Sequence, residues 1–536
     1  MALNALWTSA PGELLDVPCS VQGSIPTYLR NKAFYKNGPA QFETARRNFT
    51  HLFDGFAKVH SWKFHPSNKA TFSATFVHST LREKSLQQQT IVPQFTFGQV
   101  QPNWDMAERM DLLRSSLFNV NVNIWRVGHT LLATTDYSSY AQLDPKTLQS
   151  RDFAWPASKL IPTSKKLPVF TCAHPHLAVG DDTTTINYEI HYEPYPMQSK
   201  FYLFAARQES PDDPIKRTVL HKSNLRLLEH VPYIHSFSVT KRFAIIFFYP
   251  LYHSVSCMME TIPISNCFRW LGGDLDDVGA GVEEEEDGDR AGLFSAKQNT
   301  RILIIDLRSG EAQTLETPAF YSSHHINAYE TSEDEDTRIV VDINACAPDF
   351  EKVYVLSFLR NQTARDHYHP GPRDPQHNEF RRYILDRKSG KVTFMTTRLS
   401  DASGHKFSTA LALPRINYNY RGKRACYAYA YDQGFAHDSH LFEKWALVKV
   451  NLCNETAPVI TWQAARTWPT EPVFVPDPSA IHEEDSGVLL SPTYDGMTNA
   501  SFLLVLDAKT MKEVGRVSAG HNHIVPFGFH AQIYPF

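Results

Sequence analysis

Ser323-His324-His325-Ile326-Asn327-Ala328-Tyr329-Glu330 leads through the acidic turn Ser332-Glu333-Asp334-Glu335-Asp336 into Arg338-Ile339-Val340-Val341-Asp342-Ile343. The last run is apolar and β-branched, which reads as a buried strand. A histidine at the mouth of such a strand can aim its imidazole along the axis of a sheet barrel or propeller. The arrangement recurs: Ala173-His174-Pro175-His176 runs into Thr183 to Ile190, and Ile234-His235-Ser236-Phe237 runs into Phe243 to Phe248. Phe529-His530-Ala531 lies at the end of the chain. Histidines far apart in sequence but each beside a strand suit a metal centre assembled from several sheets. Imidazole binds iron, zinc, copper and nickel alike, so residue type leaves the metal open. Spacing leaves open His174 against His176 and His324 against His325.

Composition narrows the class. The chain has 536 residues, 42% hydrophobic and 12% aromatic, enough for a large core, and a formal net charge of −4 that gives nucleic acid no electrostatic footing. Seven scattered cysteines, odd in number and never in a CxxC spacing, predict reduced thiols in a cytosolic setting and no zinc-thiolate site. The start Met1-Ala2-Leu3-Asn4 does not read as a signal or transit peptide. The longest apolar run, Phe243 to Tyr252, falls short of the ~20 residues of a spanning helix. The expectation is a cytoplasmic protein, at most peripheral on membranes.

Four turns share one pattern: Leu143-Asp144-Pro145-Lys146-Thr147, Ile305-Asp306-Leu307-Arg308-Ser309-Gly310, Leu385-Asp386-Arg387-Lys388-Ser389-Gly390 and Leu506-Asp507-Ala508-Lys509-Thr510. In each an apolar strand ends in Asp, a basic and small polar turn follows, and a second strand begins. They read as outer hairpins of successive blades, which predicts an all-β propeller over residues 1–536 as one domain. Helical material is minor, with helix formers at Trp104 to Leu113. The acidic run near 276–292 reads as a solvated loop insertion. Cys257 to Leu271 is Met- and aromatic-rich; core packing is one reading and a peripheral membrane contact the other.

Further landmarks stand in order along the chain. They are Gly23-Ser24-Ile25-Pro26, Asn37-Gly38-Pro39, His51-Leu52-Phe53-Asp54-Gly55, Arg415-Ile416-Asn417-Tyr418, Glu471-Pro472-Val473-Phe474 and Glu484-Asp485-Ser486-Gly487. Together with the histidine segments, the series resembles the carotenoid cleavage oxygenase family, which includes the animal β-carotene oxygenases and the retinoid isomerohydrolase.

That resemblance implies a seven-bladed propeller holding one Fe2+ on its axis through His174, His235, His324 and His530. It implies outer carboxylates on the ligand histidines, here Glu471 for His530 and Asp136, a methylene shorter than the family's glutamate, for His235. Where a glutamate would support His324 the chain has Ala412, and Thr135 matches a position that overhangs the iron. The implied reaction is O2-dependent cleavage of a conjugated C=C of a carotenoid or apocarotenoid to aldehydes. Alternatives are a retinoid isomerohydrolase and a degenerate propeller that binds carotenoid or retinoid without turnover. No protein partner is expected.

Overall fold

The computed structural model describes residues 2–112, 119–155, 167–193, 198–225, 230–254, 267–272, 298–331, 338–346, 354–367, 379–397, 399–400, 406–407, 412–432, 445–454 and 456–536. The acidic run near 276–292 and most of the 257–271 segment lie outside these residues.

Antiparallel meanders follow one another along the chain. Asn123–Val127, Thr130–Thr134, Tyr140–Leu143 and Ser150–Phe153 form one, each strand bonded to the next. Leu167–Thr171, Thr185–Glu193, Gln198–Arg207 and Lys216–Leu225 form the next, followed by Ser238–Val239, Phe243–Phe248, Thr300–Asp306 and Ala312–Thr317. Tyr321–Glu330 begins a further meander that runs through Arg338–Cys346 and Glu379–Asp386 to Val392–Thr397; Ala412–Ile416 begins another that ends at Ile460–Trp462.

The first and last sheets exchange strands. The C-terminal Ala531–Pro535 pairs with Lys32–Gln41 of the first sheet, and the N-terminal Val21–Gly23 pairs with Glu513–Ser518 of the last. The meanders therefore close into a ring, a β-propeller, its two ends tied together by the strands that each lends to the other's sheet.

Burial follows radius. Phe243–Phe248 is buried at every position because neighbouring sheets cover both faces, whereas the outermost Lys216–Leu225 and Ala312–Thr317 alternate toward solvent. The four repeated turns each join the third strand of a sheet to its fourth. Asp144 Oδ1 accepts from the Lys146 and Thr147 amides at 2.8 and 2.7 Å, and Asp306, Asp386 and Asp507 accept in the same way from their turns. The helix expected around 104–113 occupies Met106–Leu112. No helix among the described residues is long and apolar enough to cross a membrane.

One expectation fails. Cys426 and Cys453 form a disulfide, with Cα atoms 4.9 Å apart, and Cys267 is also disulfide-bonded, so the reading of uniformly reduced thiols is wrong. Strand register brings the first pair together: Tyr427 lies opposite Asn451, so the residues flanking those strands meet. Twenty-seven residues of separation hide this in the sequence. The argument from cysteines to a reducing compartment goes with it. Cys19, Cys172 and Cys346 are free.

Candidate metal centre

Side-chain amides of the inner strands hold the segments that carry the histidines. Asn37 Nδ2 donates to the Val120 and Asn123 carbonyls at 2.7 and 3.1 Å; Asn123 Nδ2 donates to Ala173 O at 2.8 Å, and Asn187 Nδ2 to Cys172 O at 3.1 Å. Each of these asparagines also accepts, through Oδ1, from the amide of the following residue. His174 is thus gripped from two sides through its neighbours. The Asn37 amide and carbonyl pair with His530 O and Phe529 N at 3.1 Å, and His530 N donates to Val122 O at 3.0 Å. Such close approach demands glycine: a Cβ on Gly38 would stand 2.5 Å from Gly528 Cα.

His235 precedes Ser238–Val239, and its carbonyl accepts from the Cys172 thiol. His324 lies within Tyr321–Glu330, where register shifts fall on both sides of the histidine pair. Those bulges let adjacent side chains take separate tasks. His325 bonds Ser238 Oγ at 2.7 Å through Nδ1 and Tyr249 Oη at 3.0 Å through Nε2, so both its nitrogens are engaged in the core. His324 faces the axis instead. His176 likewise turns away, its Nε2 on Phe237 O at 2.7 Å.

His174, His235, His324 and His530, from four different sheets, have nitrogens within 4.8 Å of one another. The Nε2 atoms of His174 and His235 are 3.0 Å apart, and those of His324 and His530 3.4 Å. Two nitrogens each about 2.0–2.1 Å from one ion stand roughly 2.9–3.4 Å apart at angles between about 90° and 109°, so both separations fit a shared metal.

Protonation fits as well. Burial, then the imidazoles of His530, His235 and His324, holds His174 well below the usual histidine range. Burial, then His235 and His530, does the same to His324. Burial also lowers His530, against the pull of Glu471. Neutral imidazole is the form that binds metal.

Two of the rings are oriented by carboxylates. Glu471 Oε1 accepts from His530 Nδ1 at 2.8 Å, and Asp136 Oδ2 from His235 Nδ1 at 2.7 Å. A proton fixed on Nδ1 leaves the Nε2 lone pair free for a metal. Asp136 also accepts from the Tyr233 phenol at 2.8 Å and the Ala173 amide at 3.3 Å, while Glu471 accepts from Arg415 Nε at 2.9 Å and the Ala531 amide at 2.7 Å. Burial pushes the Glu471 carboxyl up, but Arg415 and His530 outweigh it and hold it at about 2. Among the described residues no carboxylate pairs with His324; Ala412 presents only a methyl to the cavity beside it.

His235, His324 and His530 open onto a cavity that Thr135, Asp136 and ten aromatic side chains line, so its wall is suited to a flat conjugated ligand. Phe53 is central to that wall, with ring contacts to Phe97, Tyr354 and Phe529 at centroid distances of 5.2, 4.8 and 4.9 Å. Sequence reasoning missed Tyr233 and Arg415 as supports. A tyrosine two residues before a histidine in an aromatic stretch gives no signal apart from core packing.

The family model described as Retinal pigment epithelial membrane protein matches residues 7–534. The chain is 24% identical over 538 residues to Beta,beta-carotene 15,15'-dioxygenase of Gallus gallus, covering 94% of this chain and 93% of the relative. It is 25% identical over 545 residues to Carotenoid cleavage dioxygenase 8, chloroplastic, of Arabidopsis thaliana, covering 98% and 85%. Among solved structures, a variant of Synechocystis apocarotenoid oxygenase aligns with a TM-score of 0.76 at 20% identity, covering 100% of this chain and 99% of that one. The cobalt-substituted form of the same protein gives 0.76 at 19% identity, with the same coverage.

Proposed function

Because this chain belongs to the Retinal pigment epithelial membrane protein family, whose matched relatives are named as carotenoid-cleaving dioxygenases, we propose that it is a non-haem Fe2+ dioxygenase. The reaction splits one conjugated double bond of a carotenoid or apocarotenoid with O2, each new aldehyde taking one oxygen atom. The observation that carries this reading is the meeting of four imidazoles from four sheets, three of them on the wall of an aromatic cavity.

His174, His235, His324 and His530 would hold the metal, and Glu471 and Asp136 fix two of the rings in tautomer and angle. Bound there, Fe2+ supplies the redox chemistry that lets O2 react with an alkene. The aromatic wall strips water from the polyene and holds its long axis, favoured by about 25 cal/mol per Å² of apolar surface buried. Thr135, buried beside Asp136 on the same wall, is assigned to orient O2.

The test is iron content, O2 uptake and product mass under labelled O2. The reading expects one iron per chain and one labelled oxygen in each of two aldehydes. Iron-replete protein that leaves carotenoids and apocarotenoids intact would overturn it, and turnover of a retinyl ester without O2 uptake would favour an isomerohydrolase. Ala412 supports a second reading, binding without turnover, because His324 lacks a carboxylate among the described residues. That reading expects a carotenoid to copurify intact with protein that consumes no O2.

A further inference from the structure

The cavity wall contains a polar group whose donor is unused. Gln94 is 1% exposed and lines the cavity, and its Nε2 has no hydrogen-bond partner among the described residues. Three polar side chains near it on this wall are engaged: Asn121 Nδ2 donates to Phe53 O at 2.8 Å, Asn119 Nδ2 to Asp54 O at 3.2 Å, and the Asp54 carboxylate accepts from the Phe97 and Gly98 amides at 2.7 and 2.9 Å. Those last two bonds pin the segment that carries Gln94, and the Phe95 ring beside it stacks on Tyr137 with centroids 6.4 Å apart. The carboxamide therefore stays at the wall rather than turning to solvent. A buried donor held in that way is matched when a ligand brings an acceptor, and it disfavours a ligand that brings none.

We propose that Gln94 anchors an oxygen-bearing end of the polyene, its Nε2–H donating to a hydroxyl or carbonyl oxygen. This rests on the dioxygenase reading above for the identity of the polyene and narrows its class to oxygenated apocarotenoids over hydrocarbon carotenes. An oxygen fixed at Gln94 also sets the register of the conjugated chain relative to His235, His324 and His530, since one cavity connects them.

The test pairs an apocarotenol with its deoxy analogue, the same polyene ending in methyl, against the wild type and Gln94→Met. Bound iron and melting temperature establish that the variant is intact, and Gln94→Leu repeats the test if it is not. Two quantities are read: kcat/KM under O2, and Kd by tryptophan quenching without O2. The proposal expects the wild type to favour the alcohol, and the ratio of the two kcat/KM values to fall about 10- to 100-fold in the variant, with Kd following. Equal preference in the wild type, or a ratio unmoved by the substitution, overturns the anchor while leaving the dioxygenase standing. Should neither compound be cleaved, the dioxygenase reading fails and the Kd pair still decides: selective loss of the alcohol supports the anchor, and equal Kd values overturn it.

Discussion

Glu471 receives three donors at once, the His530 imidazole, the Arg415 guanidinium and the Ala531 amide, and its side chain is 1% exposed. Glu471→Gln keeps the shape but turns one acceptor into a donor, which then faces a group that also donates. Loss of an outer carboxylate typically lowers metal affinity about 10–100-fold. Leaving Arg415 without its partner costs about 3 kcal/mol or more where the pair is buried, and less here because the Arg415 side chain is 22% exposed. Competition with a chelator should show the first effect and urea unfolding a fall of about 1–3 kcal/mol. Unchanged iron retention would mean that the carboxylate does not serve the metal. Tyr233→Phe removes one of three donors to Asp136, so a smaller loss is expected, about 1.5 kcal/mol in stability and a weaker hold on iron than in the wild type. Glu471 and Asp136 were legible only through a family pattern, because a carboxylate far along the chain from its histidine leaves no local signature. Tyr233 left none at all.

Turn chemistry was the readable part of the strands. Asp144, Asp306, Asp386 and Asp507 each close the hairpin between a third and a fourth strand, as alternation and turn residues predict. The same place in the sheet that begins at Ala412–Ile416 is taken by Asn451, whose Oδ1 accepts from the Cys453 and Asn454 amides at 2.9 and 3.0 Å. Its asparagine, with no basic residue following, hid that repeat. Cys453 sits inside this turn and bonds Cys426 across the hairpin. Closing 27 residues should contribute about 2–4 kcal/mol, mostly by restricting the unfolded chain. Cys426→Ser should therefore lower the urea midpoint, and the further drop on adding reductant should be smaller than in the wild type. A variant with wild-type stability and an undiminished response to reductant would show that this pair contributes nothing. Pairing depends on strand register, which residue types along a single chain do not reveal.

Ring closure couples local protonation to the stability of the whole molecule, because the last strand belongs to the first sheet and Val21–Gly23 to the last. The landmark series ran in order from Gly23 to His530, and so the closure was readable in outline, but the buried charge inside the ring was not. Burial depresses His253 and His325 to about 3 and His176 and His523 to about 4. Below about pH 6.5 the unfolded chain takes up these four protons while the folded chain does not, so the contribution of these histidines is full above that pH and is lost as pH drops toward 4. Asp54 opposes this: burial raises its carboxyl to about 7, so between about pH 4 and 7 the folded state binds one proton more than the unfolded. Among these five groups the balance is three protons, a slope of roughly 4 kcal/mol per pH unit between about pH 6 and 4 at full separation, and in metal-stripped protein His60, His174, His324 and His530, also lowered by burial, steepen it. Above neutrality Lys36 and Lys58, lowered by burial to about 7 and 8, act in the same sense as the histidines, and stability should go on rising to about pH 9, where the Cys19, Cys172 and Cys346 thiols, raised by burial, begin to oppose it. His253 isolates the effect: it lies among Phe170, Tyr233 and Phe268, with centroids 4.7, 5.4 and 4.1 Å away, and neither ring nitrogen has a partner among the described residues. His253→Phe should be neutral or stabilising at pH 7, since it removes two unpaired buried polar atoms. It should also cut the stability that metal-stripped protein loses between pH 7 and 5.5 by about 1 kcal/mol in total, read from urea unfolding at those two values. If the variant loses as much stability between those pH values as the wild type, the buried imidazole is not what makes the folded ring sensitive to acid.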